Sequence, residues 1–317
     1  MTVGLSTSQT GQARETMNLD RRQFINASAL ALAGAVGHGS PSFGRGLVPV
    51  AQVSSRSTRE FGFNRRVDSI DWYCELRGRG PTIVLIPSGE GDCGSFDKVA
   101  ALLSRECAVL TFDMPGFSRS SDPPEFASYS MSRAASEVAG LVRALGVGPA
   151  TFYGSSSGGR VALCLATDHS DVVRNVAVHE VAGLAQTEST NSNAALTTAT
   201  DEEIVRALKD RFRNQLNEDG TAWDALGEAF HERLERNYVT WVHRYVGRMG
   251  RPPTPDELRG RPVTWTLGAL TPVGSFFGNI ELAHAAGLRV TLLTCKHFPQ
   301  VSIPNALADH IKKGARV

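Results

Sequence analysis

Three features of the sequence predict an α/β architecture: a mostly parallel sheet with flanking helices and an inserted helical cap. Short apolar runs alternate with stretches of helical periodicity from residue 82 to residue 179, the pattern of parallel strands joined by right-handed crossovers. Polar, helix-patterned sequence without strand signal then fills residues 185–260, after which the alternation resumes. Ahead of that interruption, Gly154-Ser155-Ser156-Ser157-Gly158 joins an apolar run directly to a helical pattern.

The elements follow in order. Residues 1–36 read as a removable export signal of the twin-arginine type, because Arg21-Arg22-Gln23-Phe24-Ile25 precedes an alanine-rich apolar run too short to span a bilayer. Met17 is an alternative start that would give the signal a usual length, and Ser, Gly and Pro in residues 37–60 read as a disordered tether. The core is expected over 61–184 and 261–317. Residues 67–77 alternate and meet the turn Gly78-Arg79-Gly80-Pro81, which reads as a hairpin leading into a buried strand at 82–86. Helix 96–103, strand 108–112, and an amphipathic helix over 130–145 ending at Gly146 come next. The apolar run 150–153 precedes the serine turn and its helix, and 172–179 is a further strand. In the cap, helices are expected over 202–216 and 223–245, with Arg251-Pro252-Pro253 as a break. Strand 263–267, helix 273–286, strand 290–293 and helix 304–313 complete the core.

Composition bounds the function. A net charge of +1 gives no electrostatic reason to expect nucleic acid or an anionic membrane as partner, and no apolar run approaches the length of a stable membrane anchor. Five scattered cysteines without a C-x-x-C pair argue against a zinc or redox site. The expectation is therefore no metal, no cofactor, and a small-molecule partner, on a chain compatible with a homodimer. Export to the periplasm or beyond follows if the leader is used, and a cytoplasmic location if it is not.

The chemistry centres on the serine turn. Strand, G-x-S-x-G and helix together form the context of a nucleophile elbow in an α/β-hydrolase fold, and the flanking glycines make Ser156 the central serine. A hydroxyl needs an imidazole to take its proton and a carboxylate to orient that imidazole. His297 follows the last strand, where this fold carries its base, whereas His38, His169, His231, His243, His284 and His310 fall in the tether, in the cap or on flanking helices. The loop 268–272, a common source of the acid, holds no carboxylate. Glu180 ends the strand after the elbow helix, on the sheet edge that carries Ser156, and the order Ser156, Glu180, His297 fits the class. An ion pair at a strand end is the plainer explanation of Glu180, and Asp171 is a weaker rival acid. The backbone N–H groups of Ser157 and Gly89 are the candidate oxyanion donors, although Gly89 stands among other turn glycines.

Several stretches carry a family resemblance: F-D-M-P-G-F-S-R-S (112–120), G-S-S-S-G-G with V-H-E-V downstream, N-Y-V-T-W-V-H-R-Y (237–245), T-P-V-G-S-F-F-G-N-I (271–280) and H-F-P-Q-V-S (297–302). From about residue 67 onward the chain resembles the zearalenone lactonases, α/β-hydrolases that open the ester of a resorcylic macrolactone. The resemblance implies an acid at Glu180, oxyanion donors at Gly89 and Ser157, a substrate-holding cap tryptophan at Trp241, and a pocket residue at Tyr245. Trp241 and Tyr245 also stand four apart on one helix face, as pocket lining or core packing would equally require. The sequence departs from the family at Ser88, where an aspartate is usual, and around the histidine at Thr294-Cys295-Lys296, Gln300 and Ile303. The resulting expectation is a serine hydrolase opening a lactone or ester through an acyl-enzyme. An esterase of other substrates, or a ligand receptor on a hydrolase fold with little turnover, is the alternative.

Overall fold

Eight strands form a single sheet in the order β1-β2-β4-β3-β5-β6-β7-β8 in the computed structural model, which describes residues 62–126, 129–184 and 195–315. The leader, the Met17 start and the tether lie outside the described residues. β1 (Gly62–Val67) and β2 (Ile70–Arg77) form a hairpin that turns at Asp68, whose φ is 52°. β2 then pairs antiparallel with β4 (Ala108–Phe112), and every later neighbour pairs parallel. This corrects the expected hairpin. The turn at residues 78–81 does not return β2 onto β3 (Thr82–Ile86), because β4 lies between them. Gly78, at φ 74°, passes so close to the carbonyl oxygen of Cys107 that a Cβ there would sit 2.3 Å from it, and only glycine lets the chain cross at this point.

The sheet is buried on both faces with period two. Ile83, Leu85, Val109 and Tyr153 pack beneath α1 (Asp97–Leu103) and α10 (Pro304–Ala315). Val84, Ile86, Leu110, Phe112 and Phe152 face α2 (Met131–Leu145) and α3 (Ser156–Asp168). Ser130 caps α2 by accepting the Arg133 N–H, and Gly146 ends it at φ 65°, as the sequence signals imply.

Between β6 (Val173–His179) and β7 (Val263–Gly268) the described residues hold helices and no strand. α4 (Asp201–Asp210) starts in a capping box of Thr200 and Glu203 and runs on as a π-helical turn, Arg211–Gln215. The single helix expected over 223–245 is instead two. α5 (Gly220–Asp224) and α6 (Glu228–Thr240) part at Gly227, whose φ of 92° no helix accommodates. α6 also continues as a π turn, Trp241–Tyr245, and α7 (Pro255–Leu258) closes the insertion. α8 (Phe277–Ala285), β8 (Val290–Leu293) and the short α9 (Pro299–Ser302) lead into α10. The described residues of cap and sheet belong to one compact unit.

Register sets up the site. Ile86 pairs with Gly154, Ser155 with His179, His179 with Thr266, and Gly268 with Leu293. The C-terminal ends of β3, β5 (Ala150–Ser155), β6, β7 and β8 are thus level. Whatever follows each strand, Gly89, Ser156, Glu180 or His297, emerges at one edge.

Candidate active site

Ser156 sits at φ 54°, a left-handed conformation that a non-glycine residue rarely adopts, at the turn from β5 (Ala150–Ser155) into α3. The flanking glycines explain how the turn closes. A Cβ on Gly154 would stand 2.3 Å from the Gly158 carbonyl oxygen, and one on Gly158 would stand 2.4 Å from that of Pro87. Ser155, the residue before α3, makes no side-chain cap, so the first N–H groups of the helix, that of Ser157 among them, keep their hydrogen-bonding capacity.

Glu180 is fully buried and likewise left-handed, at φ 42°. Its Oε2 lies 2.7 Å from His297 Nδ1, and its Oε1 accepts the Gly268 N–H at 2.9 Å. The last residue of β7, whose following loop has no carboxylate of its own, therefore contributes a backbone donor to the carboxylate at the end of the neighbouring strand. Burial pushes the Glu180 carboxyl up, but the hydrogen bond and charge of His297, with His179, outweigh it and hold the group below its ordinary value. The rival acid Asp171 is exposed and paired with Arg143 at 2.8 Å. The His297 ring stacks on Phe276 with centroids 5.3 Å apart and meets Phe298 edge-on at 5.2 Å.

One cavity is lined by Ser156, His297, Gly89, Trp241, Phe276 and Phe298, among others. Ser157 lines a smaller adjoining cavity with Tyr245, and Trp241 borders both. Tyr245 is absent from the lining of the first cavity. Its hydroxyl donates to the Pro115 carbonyl, and its ring packs against Phe117, Phe126 and Tyr129. Trp241 covers Gly89 so closely that a Cβ there would lie 3.1 Å from the indole.

The cap helix that carries Trp241 is fixed by a buried polar network that the sequence reading did not identify. Arg233 Nε binds Asp92 Oδ2 at 2.6 Å, and Arg119 Nε binds Asp113 Oδ2 at 2.6 Å. Asn237 accepts the Ser118 N–H at 2.9 Å and donates to the Glu90 carbonyl at 2.6 Å. Two carboxylates and two guanidinium groups balance in charge, as burial requires. For Asp92, burial is outweighed by Arg233 and Arg119, which hold its carboxyl below the ordinary range. Trp241, one turn beyond Asn237, is thereby set over Gly89.

His179 is a second omission, signalled only by a polar residue in a buried strand. Burial, opposed by Glu180 and reinforced by His297, pushes its imidazole down to about 4 from 6.5. Between those values the unfolded chain takes up a proton that the folded form refuses, so folded stability falls as pH drops. The expected loss is about 2 kcal/mol at pH 5 relative to pH 7. Urea unfolding at the two pH values should show this loss in the wild type and a smaller one in H179Q. Equal losses would contradict it.

Among the described residues no group of His, Cys, Asp and Glu is arranged to hold a metal ion, all five cysteines are buried, and no helix is long and apolar enough to cross a membrane. A left-handed serine between strand and helix, with an imidazole–carboxylate pair on the same sheet edge, defines the class as the α/β hydrolases. The family described as alpha/beta hydrolase fold matches residues 81–257. Within that class the chain belongs to the zearalenone hydrolase family. It is 38% identical over 251 residues to Zearalenone hydrolase of Bionectria ochroleuca, covering 77% of this chain and 93% of that protein. It is 36% identical over 254 residues to Zearalenone hydrolase of Cladophialophora bantiana, covering 78% and 94%. Among solved structures, the enol-lactonase from Burkholderia xenovorans LB400 superposes with a TM-score of 0.62 at 21% identity, over 80% of this chain and 100% of that one. At that identity the likeness speaks for the fold alone. Family membership makes the chain an ester or lactone hydrolase.

Proposed function

We propose that this chain opens a resorcylic macrolactone of the zearalenone type through an acyl-enzyme on Ser156. In this reading His297 takes the hydroxyl proton as Ser156 Oγ attacks the lactone carbonyl carbon. The N–H groups of Gly89 and Ser157 receive the charge on the carbonyl oxygen. Collapse breaks the C–O bond of the ring, the departing alkoxide takes the proton from His297, and the opened chain remains attached to Ser156 as an ester. Water, deprotonated by the same imidazole, then releases the hydroxy acid. Glu180 orients His297 and stabilises its charged form. The ring of the substrate lies against Trp241, Phe276 and Phe298.

One observation carries the reading: Ser156 and His297 line a common cavity, while a buried carboxylate holds the far nitrogen of that imidazole at 2.7 Å. The curated relatives, named for zearalenone, direct the choice of substrate. The decisive assay follows ring-opened acid from zearalenone beside hydrolysis of simple aryl esters. Turnover of aryl esters alone would sink the macrolactone and leave the hydrolase. Tight binding of zearalenone without any turnover of either would favour the receptor alternative.

Gly89→Ala tests the oxyanion loop. The added methyl would sit 3.1 Å from the Trp241 ring, so the loop or the indole must shift by a few tenths of an ångström. A roughly ten- to hundred-fold fall in kcat is expected at an unchanged unfolding midpoint, since such donors tolerate little displacement. Wild-type kcat would remove Gly89 from the assignment. Export through the twin-arginine leader is part of the same proposal. N-terminal sequencing of protein recovered outside the cytoplasm tests it, and an intact leader there would refute processing.

A further inference from the structure

The peptide that bears His297 is held by more than the Glu180 carboxylate. His179 Nε2 lies 3.0 Å from the Lys296 carbonyl oxygen, and because a carbonyl can only accept, Nε2 must carry the hydrogen. The other ring nitrogen faces Thr266 Oγ1 at 3.0 Å. From the opposite side, the Glu218 carboxylate accepts the Lys296 N–H at 2.8 Å, and the Leu216 carbonyl accepts the His297 N–H at 3.0 Å. Both polar backbone groups of Lys296 are therefore bound by side chains, one from the end of β6 and one from the cap segment between Arg211–Gln215 and α5. Two adjacent residues of the sheet, His179 and Glu180, hold two adjacent residues of the loop, Lys296 and His297. His179 is completely buried, and the proton transfers of the proposed reaction use neither it nor Glu218.

We propose that His179 and Glu218 are positioning residues, which fix the His297 imidazole relative to Ser156 by clamping the Lys296 peptide between sheet and cap. The inference rests on the reading of His297 as the base. Its physical basis is that residues 294–298 belong to no helix or strand, so no regular ladder sets the height of the imidazole above the sheet edge. A hydrogen bond from Glu180 fixes the rotation of the ring, and the Lys296 contacts fix the Cα from which it hangs. Because Glu218 comes from the cap, the seating of the cap and the placement of the base are joined through one peptide unit.

Glutamine and asparagine at position 179 separate positioning from packing. The amide nitrogen of glutamine reaches the place of Nε2, whereas that of asparagine stops near Nδ1, short of the Lys296 carbonyl. H179Q is expected to keep kcat within about threefold of the wild type, and H179N to lose it about ten- to hundred-fold with KM little changed. E218Q retains an acceptor oxygen and should stay close to the wild type, while E218A should lose about tenfold in kcat. Since both groups act through Lys296, the H179N/E218A double variant should lose less than the product of the single losses. H179N, which leaves the Lys296 carbonyl unpaired, should unfold at a lower midpoint than H179Q, so kcat is compared at a temperature where both are fully folded.

Equal impairment of H179Q and H179N would reduce His179 to a packing role. An unimpaired H179N, or strictly multiplicative losses in the double variant, would overturn the shared clamp. H297A and S156A, assayed alongside, keep the two levels apart. Turnover surviving in them overturns the proposed reaction itself. Their inactivity beside an unimpaired H179N overturns only the clamp.

Discussion

Ser156→Ala is expected to lower turnover by a factor on the order of 10⁶, and labelling by a fluorophosphonate should disappear with it. The size of the effect follows from the proposed role: without the hydroxyl the acyl-enzyme could not form, and what would remain is binding and oxyanion stabilisation acting on water. Folding should be unaffected, because alanine at φ 54° is strained much as serine is, and the turn is closed by Gly154 and Gly158 rather than by the serine side chain. Mass spectrometry of the labelled wild type should place the adduct on Ser156. Its neighbours Ser155 and Ser157 are both buried, and Ser155 lies on the strand rather than at the turn. An adduct on either neighbour, or turnover that survives in the variant, would sink the assignment.

Glu180→Gln should cost about 10⁴-fold in kcat, the loss expected when an orienting carboxylate is replaced by its amide. Both oxygens of Glu180 accept, one from His297 Nδ1 and one from the Gly268 N–H. A glutamine has one acceptor and one donor, so one of these contacts becomes donor against donor. If the amide nitrogen faces His297, the ring must expose a lone pair there and carry its hydrogen on Nε2, where the serine proton should go. The exchange leaves volume unchanged, and neither residues 268–272, which contain no acid, nor Asp171, engaged with Arg143, nor Glu218, which accepts the Lys296 N–H, takes the place of the lost carboxylate. The check is kcat/KM with active-site titration, so that inactive protein does not count as slow enzyme. Activity within tenfold of the wild type would show that another group orients the imidazole.

The elements legible in the sequence are those whose signals are local. Ser130 and Gly146 bracket α2 because a cap side chain and a left-handed residue each act within one helical turn. The strands at 108–112 and 290–293 coincide with their apolar runs. The expected hairpin gives way to a different pairing because pairing is not local: residues 67–77 carry the alternation of a strand, but nothing in them says which neighbour will accept the hydrogen bonds. The break at Gly227 could have been weighed, since glycine inside a helical pattern lowers its stability. The two π turns had no such signal, because each closes its helix and no later turn displays the shifted face.

The candidate site divides in the same way. The serine and its glycines were readable because a strand-to-helix turn tight enough to expose a hydroxyl must exclude side chains within a few residues on either side, whereas Gly89 was nominated by its place after β3. Chain order was enough to nominate His297 and Glu180. The meeting of that carboxylate with that imidazole, across 117 residues of sequence, was decided by the level ends of β6 and β8. Only the folded molecule separates Trp241, which borders the Ser156 cavity, from Tyr245, which is set four residues on among Phe117, Phe126 and Tyr129. It alone brings His179 and Glu218 onto one peptide. A turn is constrained by residues that are neighbours in the chain. A contact between strands, or between cap and sheet, depends on register and packing, which no single stretch of sequence contains.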